Sequence, residues 1–196
     1  MRRAFIAVAV IASFGLTALP AQAASQVTIQ DFSFSPTPIT VAQGGSVQWH
    51  NVTGATEHTH TSTSDIAGLW DTGTLAPGTT SGAVAFKAAG VFAYHCKIHP
   101  SMHGKVRVPI KVSPASGSTG TVFTIRLATA RRTGYSFDVQ KRAGVGVWKI
   151  WKTTVTSLTV TFHHASAGTW RFRSRLHKNG SPVKSGWSPS KMITIS

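Results

Sequence analysis

The chain has 196 residues, a length that suits one or two domains with cores of their own. It contains 20 Lys+Arg against 5 Asp+Glu, together with 9 His and a single Cys. One cysteine excludes an internal disulfide, a cysteine-rich zinc finger and an iron–sulfur cluster, because each of these needs several thiols.

Residues 1–23 have the pattern of a secretion signal. Arg2 and Arg3 precede an uncharged apolar stretch over 4–19, and Ala21-Gln22-Ala23 is the small-x-small sequence after which a signal peptidase cuts. The alternative, a transmembrane anchor, needs a longer apolar stretch of about 20 residues. We therefore expect an exported protein that is periplasmic, cell-surface or secreted, with a mature chain that begins near Ala24.

Residues 24–113 are predicted to form a first all-β domain. Apolar and polar side chains alternate from Val27 to Phe34, which is the period of a half-buried strand. Similar runs, separated by turns that contain Gly or Pro, occupy 39–42, 46–51, 83–87, 91–95 and 105–112. So many short strands in about 90 residues predict a β-sandwich or a β-barrel.

Residues 114–120, which are small and turn-forming, predict a linker to a second all-β domain over 121–196. The strand runs of this domain lie at 121–127, 135–139, 145–151, 158–162, 169–176 and 192–195. In the run 169–176 the alternation places Trp170, Phe172 and Leu176 on one face. Its other face carries Arg171, Arg173 and Arg175.

The positive charge is concentrated in the second half. Residues 24–114 carry five Lys or Arg and four Asp or Glu, whereas residues 115–196 carry thirteen and one, a net charge of +12. This charge favours an anionic partner, either a cell-envelope polymer, a membrane surface or an acidic redox protein, with Arg171, Arg173 and Arg175 as the expected contacts. The alternative is a solvated face that keeps the protein soluble. No nucleic acid partner is expected, because the protein is exported.

Cys96, His99 and Met102 form a Cys-x2-His-x2-Met sequence. A predicted strand ends at the cysteine and the next begins at Gly104, so the three donors lie on one tight loop. A thiolate, an imidazole and a thioether favour copper, and a blue-copper site needs a second histidine from elsewhere. Glu57-His58-Thr59-His60 supplies candidates on another strand.

The first domain, over about 27–112, resembles a cupredoxin of the plastocyanin and amicyanin type. The similarity is carried by Val47–Asn51, by Trp70–Gly78 and by the loop Tyr94–Met102. It implies a Greek-key β-sandwich that holds one type 1 copper through His58, Cys96, His99 and Met102. Asn51 matches the family asparagine whose side chain braces the ligand loops. His60 is the alternative to His58, because the stretch from Trp49 is one residue longer than the common family spacing.

The resemblance implies one-electron transfer to a redox partner protein by a monomer, and not catalysis. Three strong ligands and one weak ligand leave no open metal position for a substrate. The apolar surface around His99, with Pro100 and Ala55, is the expected route for the electron. The alternative function is copper capture or delivery in the cell envelope, which the additional histidines at 60, 95 and 103 would suit. Copper nitrite reductases also have a histidine before the cysteine, but they need a second cupredoxin domain.

The segments Gly168–Leu176 and Gly186–Ser190 resemble the last two strands of a fibronectin type III or similar immunoglobulin-like module. The predicted fold is therefore all-β, a cupredoxin sandwich followed by an immunoglobulin-like or fibronectin III-like sandwich. A fold of the second kind does not by itself indicate a function.

Overall fold

A computed structural model describes residues 23–52, 66 and 68–196, together with the backbone of residues 58–61. Residues 1–22 of the predicted secretion signal lie outside the described residues. The regular elements in the described ranges are β-strands, which confirms the predicted all-β class. Within the same ranges, no helix has the length and apolar character to span a membrane.

The first half is built from two packed sheets and a hairpin. Its strands are β1 Ser25–Gln30, β2 Ser33–Ser35, β3 Ile39–Thr40, β4 Ser46–Asn51, β5 His58–Thr61, β6 Asp71–Leu75, β7 Val84–Ala85, β8 Gly90–His95 and β9 His103–Val108. One sheet has the order β2-β1-β4-β7, the other has the order β3-β9-β8, and β5 pairs with β6. Strands β4 and β8 bury every second side chain, so the core lies between the two sheets.

The second half is a two-sheet sandwich as well. Its strands are β10 Lys111–Ser113, β11 Ser116–Gly117, β12 Phe123–Arg126, β13 Tyr135–Ala143, β14 Lys149–Val155, β15 Thr159–Phe162, β16 Gly168–Lys178 and β17 Lys191–Ile195. The sheets have the orders β10-β12-β15 and β11-β17-β16-β13-β14. On β16, Phe172 and Leu176 are buried while the arginines of the opposite face are half-buried.

Two predicted strands differ from the structure in ways that matter for the sites. The run 27–34 is broken between β1 and β2 by a turn in which Phe32 has a φ of 59°, so the chain reverses there. The run 145–151 becomes a strand only at Lys149, and the residues before it form the β13–β14 connection. In both places an apolar residue that alternation assigned to a strand lies in a turn.

The two halves share a continuous core, to which both contribute buried side chains. The segment 114–120, predicted as a linker, contains β11, which pairs with β17, and the preceding strand β10 pairs with β12 of the second half. Val91 on β8 exchanges two backbone hydrogen bonds of 2.9 Å with Gly186. Strand β8 is therefore held by β9 on one edge and by the second half on the other.

Candidate metal centre

Cys96 follows the last residue of β8, and its thiol is completely buried. The Cys96 amide donates to the Met102 carbonyl at 3.1 Å, and the Met102 amide donates to the His99 carbonyl at 2.9 Å. These two hydrogen bonds close the loop between β8 and β9. The three donors that the sequence places on this loop are thus held together by its backbone.

Two donor atoms of this loop lie close together, since the distance from Cys96 Sγ to His99 Nδ1 is 3.8 Å. The Met102 side chain, at the end of the same loop, is buried at 2% exposure. A metal ion binds a ligand nitrogen at about 2.05 Å and a ligand sulfur at about 2.3 Å. If the angle between these two bonds is about 120°, as in a trigonal site, the nitrogen and the sulfur lie about 3.8 Å apart. The spacing of these two atoms therefore fits a shared metal ion.

Asn51 connects this region to the strand that carries the candidate fourth ligand. Its side chain is completely buried, and its Nδ2 donates to the Leu75 carbonyl at 2.8 Å. Leu75 is the register partner of His58, whereas His60 is opposite Gly73. The side chains of His58 and His60 lie outside the described residues. The backbone register nevertheless places position 58, and not position 60, opposite the residue that Asn51 holds.

A family model described as a cupredoxin-like domain matches residues 3–108, which is more than half of the chain. The chain belongs to the cupredoxin family. This membership points to copper as the cofactor, and the thiol, imidazole and thioether of the β8–β9 loop are donors that suit copper.

Several solved structures are similar to a little less than half of this cupredoxin. A reduced Cu(I) form of an amicyanin point mutant is 29% identical, with 45% of this chain and 84% of that chain covered, at a TM-score of 0.37. A copper-containing nitrite reductase from Thermus scotoductus SA-01 is 24% identical, with 47% of this chain but 24% of that chain covered, at a TM-score of 0.40. No curated protein matches the sequence significantly.

The ring of His99 is half-buried, and an exposed aromatic side chain packs against it. Phe32 meets the His99 ring edge-on, with ring centroids 4.8 Å apart, and is itself 69% exposed. Ile98 and the predicted Pro100 are exposed beside it, while the predicted Ala55 lies outside the described residues. Sequence alternation missed Phe32, because it placed this residue in the middle of a strand. The positive φ of the turn, which carries Phe32 to His99, has no strong sequence signal.

A cluster of buried aromatic side chains packs around Tyr94, on the strand that leads to the cysteine. Tyr94, two residues before Cys96, is opposite Gly104 on β9, and a Cβ at position 104 would collide with the Tyr94 ring. The Trp49 ring lies at 5.3 Å from that of Tyr94 in an edge-on contact. Burial raises the pKa of Tyr94 to about 12, so its hydroxyl stays neutral. Gly104 is thus a positioning residue for the strand that leads to the cysteine, and it was recognised from sequence only as a strand start.

The other histidines of the first half lie outside this loop. His95 and His103 form a cross-strand pair with ring centroids 6.1 Å apart, on the face of β8 opposite to Tyr94 and Cys96. His50 Nδ1 lies 2.8 Å from the Thr80 hydroxyl. In the part of the chain that the structure describes, no group of three His, Cys, Asp or Glu side chains is arranged to hold a metal.

The predicted arginine face of β16 is present and is organised by tryptophans. The Arg173 guanidinium lies over the rings of Trp148 at 4.3 Å and Trp187 at 5.3 Å, and that of Arg175 lies over Trp187 at 4.2 Å. Arg171, on the same face, is opposite Arg142 and Met192. The two tryptophans were not predicted as part of this face, because no local pattern places the run 145–151 or the segment Gly186–Ser190 against the arginines of β16.

Proposed function

We propose that this cupredoxin carries single electrons through one type 1 copper held by His58, Cys96, His99 and Met102. The observation that supports this most directly is the 3.8 Å approach of Cys96 Sγ to His99 Nδ1 inside a loop closed by its own backbone. Bound copper would supply the exchange between Cu(I) and Cu(II). The chain's contribution is to hold the donors in one arrangement for both oxidation states.

The side chains around the donors have separate tasks in this proposal. The buried Met102 side chain and the aromatic cluster around Tyr94 keep water away from the Cys96 thiolate. The half-buried His99 ring provides the route to the surface. Phe32 and Ile98 give that route an apolar surface, on which a redox partner protein would dock.

No catalytic residue is proposed, because the four donors would fill the copper coordination. Copper capture or delivery in the cell envelope is the second candidate function. It is favoured by the pair of His95 and His103 at the surface next to the donor loop, where a copper ion could first be held. A capture protein would need tight Cu(I) binding but no intense thiolate-to-copper colour.

For the rest of the chain we propose export, with residues 1–23 as a cleaved signal and a monomer in the periplasm, at the cell surface or outside the cell. The strand orders β10-β12-β15 and β11-β17-β16-β13-β14 support an immunoglobulin-like or fibronectin III-like module in the second half. Its cationic face would dock the protein on an anionic polymer or membrane of the cell envelope. Nucleic acid is not an expected partner.

The test is a visible spectrum of the chain from Ala24, loaded with Cu(II) and titrated with ascorbate. We expect an intense thiolate-to-copper band that is lost on reduction and returns on oxidation. Cys96→Ser should abolish the band, while the control His50→Ala should keep it, since His50 contacts Thr80 and not the loop. A band that survives Cys96→Ser would refute the ligand assignment. A colourless protein with tight Cu(I) binding would favour capture or delivery.

A further inference from the structure

The connection between β13 and β14 exposes apolar side chains at its tip. Val145 is 98% exposed and Val147 is 75% exposed, and Ile150, at the start of β14, is 52% exposed. The connection is nevertheless ordered by its backbone, since the Gly146 amide donates to Ala143 at 2.9 Å and the Gly144 amide donates to Thr169 at 2.8 Å. The fold thus holds these valines in solvent, where burying them in an apolar medium would lower the free energy.

Directly beside this tip lies a stacked array of cations and indoles, which we call the Arg–Trp ladder. Arg142 lies over Trp148 at 4.7 Å, and the stack continues through Arg173 and Trp187 to Arg175. The register pairs Arg142 with Arg171, Gln140 with Arg173 and Asp138 with Arg175, so the cations share one sheet face. Tryptophans on such a face are the side chains that favour the boundary between water and lipid.

Residues 115–196 provide no exposed acidic side chain to balance the charge of this face. Asp138 is the one carboxylate side chain of residues 115–196, and it is buried against Arg175 at 3.0 Å, His177 at 3.3 Å and Lys184 at 3.8 Å. The Nε–H group of Arg173 donates to Gln140 Oε1 at 2.8 Å, and the Nε–H group of Arg175 donates to Asp138 Oδ2. Within the described residues the terminal nitrogens of both guanidinium groups have no hydrogen-bond partner, so their N–H groups are unused donors that phosphate oxygens could accept from.

Two further apolar side chains lie on the same face as the cations. Ile150 is the register partner of Gln140, and Met192, which is 43% exposed, is the register partner of Arg171. A soluble anionic polymer would pair with the arginines and leave these side chains and both valines in water. A bilayer with anionic headgroups accommodates both sets, since phosphates meet the guanidinium groups and the apolar tip enters the acyl boundary.

We propose that the valine tip and the Arg–Trp ladder together form a docking surface for a lipid bilayer that carries anionic headgroups. This rests on the proposed docking of the second half on an anionic surface and identifies that surface, and it does not depend on copper. The hairpin tip lies in the interface and does not span the membrane. Anionic headgroups give attraction that salt weakens, and the buried valines give attraction that salt leaves intact.

The experiment is sedimentation of the chain from Ala24 with phosphatidylcholine vesicles, with and without phosphatidylglycerol, and a parallel measurement with soluble polyphosphate. We expect binding to the phosphatidylglycerol vesicles, with a shift of tryptophan emission to shorter wavelength as Trp148 enters the interface. The double variant Val145→Asp/Val147→Asp should weaken vesicle binding on the order of tenfold or more. The control Val122→Asp changes another valine of the second half, which is 57% exposed, and should bind as the parent does.

The outcomes separate the lipid proposal from the docking proposal on which it rests. Equal vesicle binding by the tip variant and the parent overturns the role of the valines. Binding to polyphosphate without binding to vesicles overturns the bilayer as partner and keeps an anionic polymer in its place. Failure to bind either probe at low salt overturns the docking function itself. Circular dichroism melting of each variant shows that it is folded, and the visible band separately tests the copper site.

Discussion

Strands β8 and β16 both alternate buried and more exposed side chains, but their candidate functional groups lie on opposite faces, inward for β8 and outward for β16. Strand β16 is the central strand of its five-stranded sheet, and β8 lies at the edge of its three-stranded sheet. Each buries aromatic or aliphatic side chains on one face, with Phe92 and Tyr94 on β8 and Phe172 and Leu176 on β16. On β8 the reactive group comes at the end of the inward row, where Cys96 is sealed inside the sandwich. On β16 the arginines form the outward row. Burial suits the proposed redox centre, which must exclude water, and the outward position suits the face that we propose to dock on a charged surface.

The two strands are also joined through one segment of the second half. The Val91–Gly186 hydrogen bonds attach β8 to the segment that carries Trp187 of the Arg–Trp ladder, and the Ser185 amide of this segment donates to the Leu176 carbonyl of β16 at 2.9 Å. Arg126 donates its Nε to Gln43 at 2.9 Å, and that glutamine in turn donates to the Arg126 carbonyl at 2.8 Å. A continuous core together with these contacts predicts that the two halves unfold as one cooperative unit.

The largest expected effect comes from Asp138→Asn. Burial by itself raises the pKa of the Asp138 carboxyl, but the hydrogen bonds from Arg175 and Thr154 and the charges of Arg175 and His177 outweigh it, so this pKa lies below its usual range. Loss of this charge leaves a cluster of partly buried cations without a counterion and should cost about 3 kcal/mol of unfolding free energy. Urea denaturation followed by tryptophan fluorescence measures it. If Asp138→Asn loses its fluorescence signal at a lower urea concentration than the parent but loses its copper band at the parent's urea midpoint, the two halves unfold independently.

The Asp138 carboxylate should also make the unfolding free energy depend on pH, in the direction that its lowered pKa sets. Because its pKa is lower in the folded state than in the unfolded state, its stabilisation is complete above about pH 4, the usual pKa of an aspartate. It is lost as the pH falls through the lower folded-state pKa. The difference in unfolding free energy between the parent and Asp138→Asn should therefore shrink below pH 4. A difference that is constant down to pH 2 would contradict this assignment.

A smaller effect on stability, but a direct one on the copper site, is expected for Gly104→Ala. The new methyl group would occupy the space of the Tyr94 ring, so the ring and the strand leading to Cys96 must shift. Overpacking of this kind costs about 2 kcal/mol and should also change the energy or intensity of the visible band. Gly82→Ala is the matched control, because a Cβ at position 82 meets nothing within 4 Å. An unchanged band in Gly104→Ala would mean that Tyr94 does not position the cysteine.

The sequence was most informative where the chemistry is local. Cys96, His99 and Met102 are close in the chain, so the loop that joins them needed no knowledge of distant contacts, and the alternation of β16 correctly separated its arginines from its core residues. Long-range pairing was not accessible in this way. Gln43 and Arg126 are 83 residues apart, and no local pattern indicates that they meet.

Local patterns also failed to identify the apolar residues that lie in turns. Alternation cannot distinguish a valine or phenylalanine that continues a strand from one that a turn presents to solvent. That decision depends on backbone conformation, as the φ values of 59° at Phe32 and 50° at Gly144 show. Both turns belong to proposed sites, one at the edge of His99 and the other at the tip beside the Arg–Trp ladder.

The smallest effect on stability, and the most specific one for electron transfer, is expected for Phe32→Ala. Phe32 is largely exposed, so its removal should change the unfolding free energy by no more than about 0.5 kcal/mol. It should nevertheless slow electron self-exchange between copper-loaded molecules by about threefold or more, because a surface aromatic in an apolar contact contributes strongly to association. Line broadening in NMR spectra of partly oxidised samples measures this rate. Val122→Ala removes an exposed apolar side chain from the second half and should leave the rate unchanged. Equal slowing by both variants would show that general hydrophobicity, and not the surface around His99, controls the encounter.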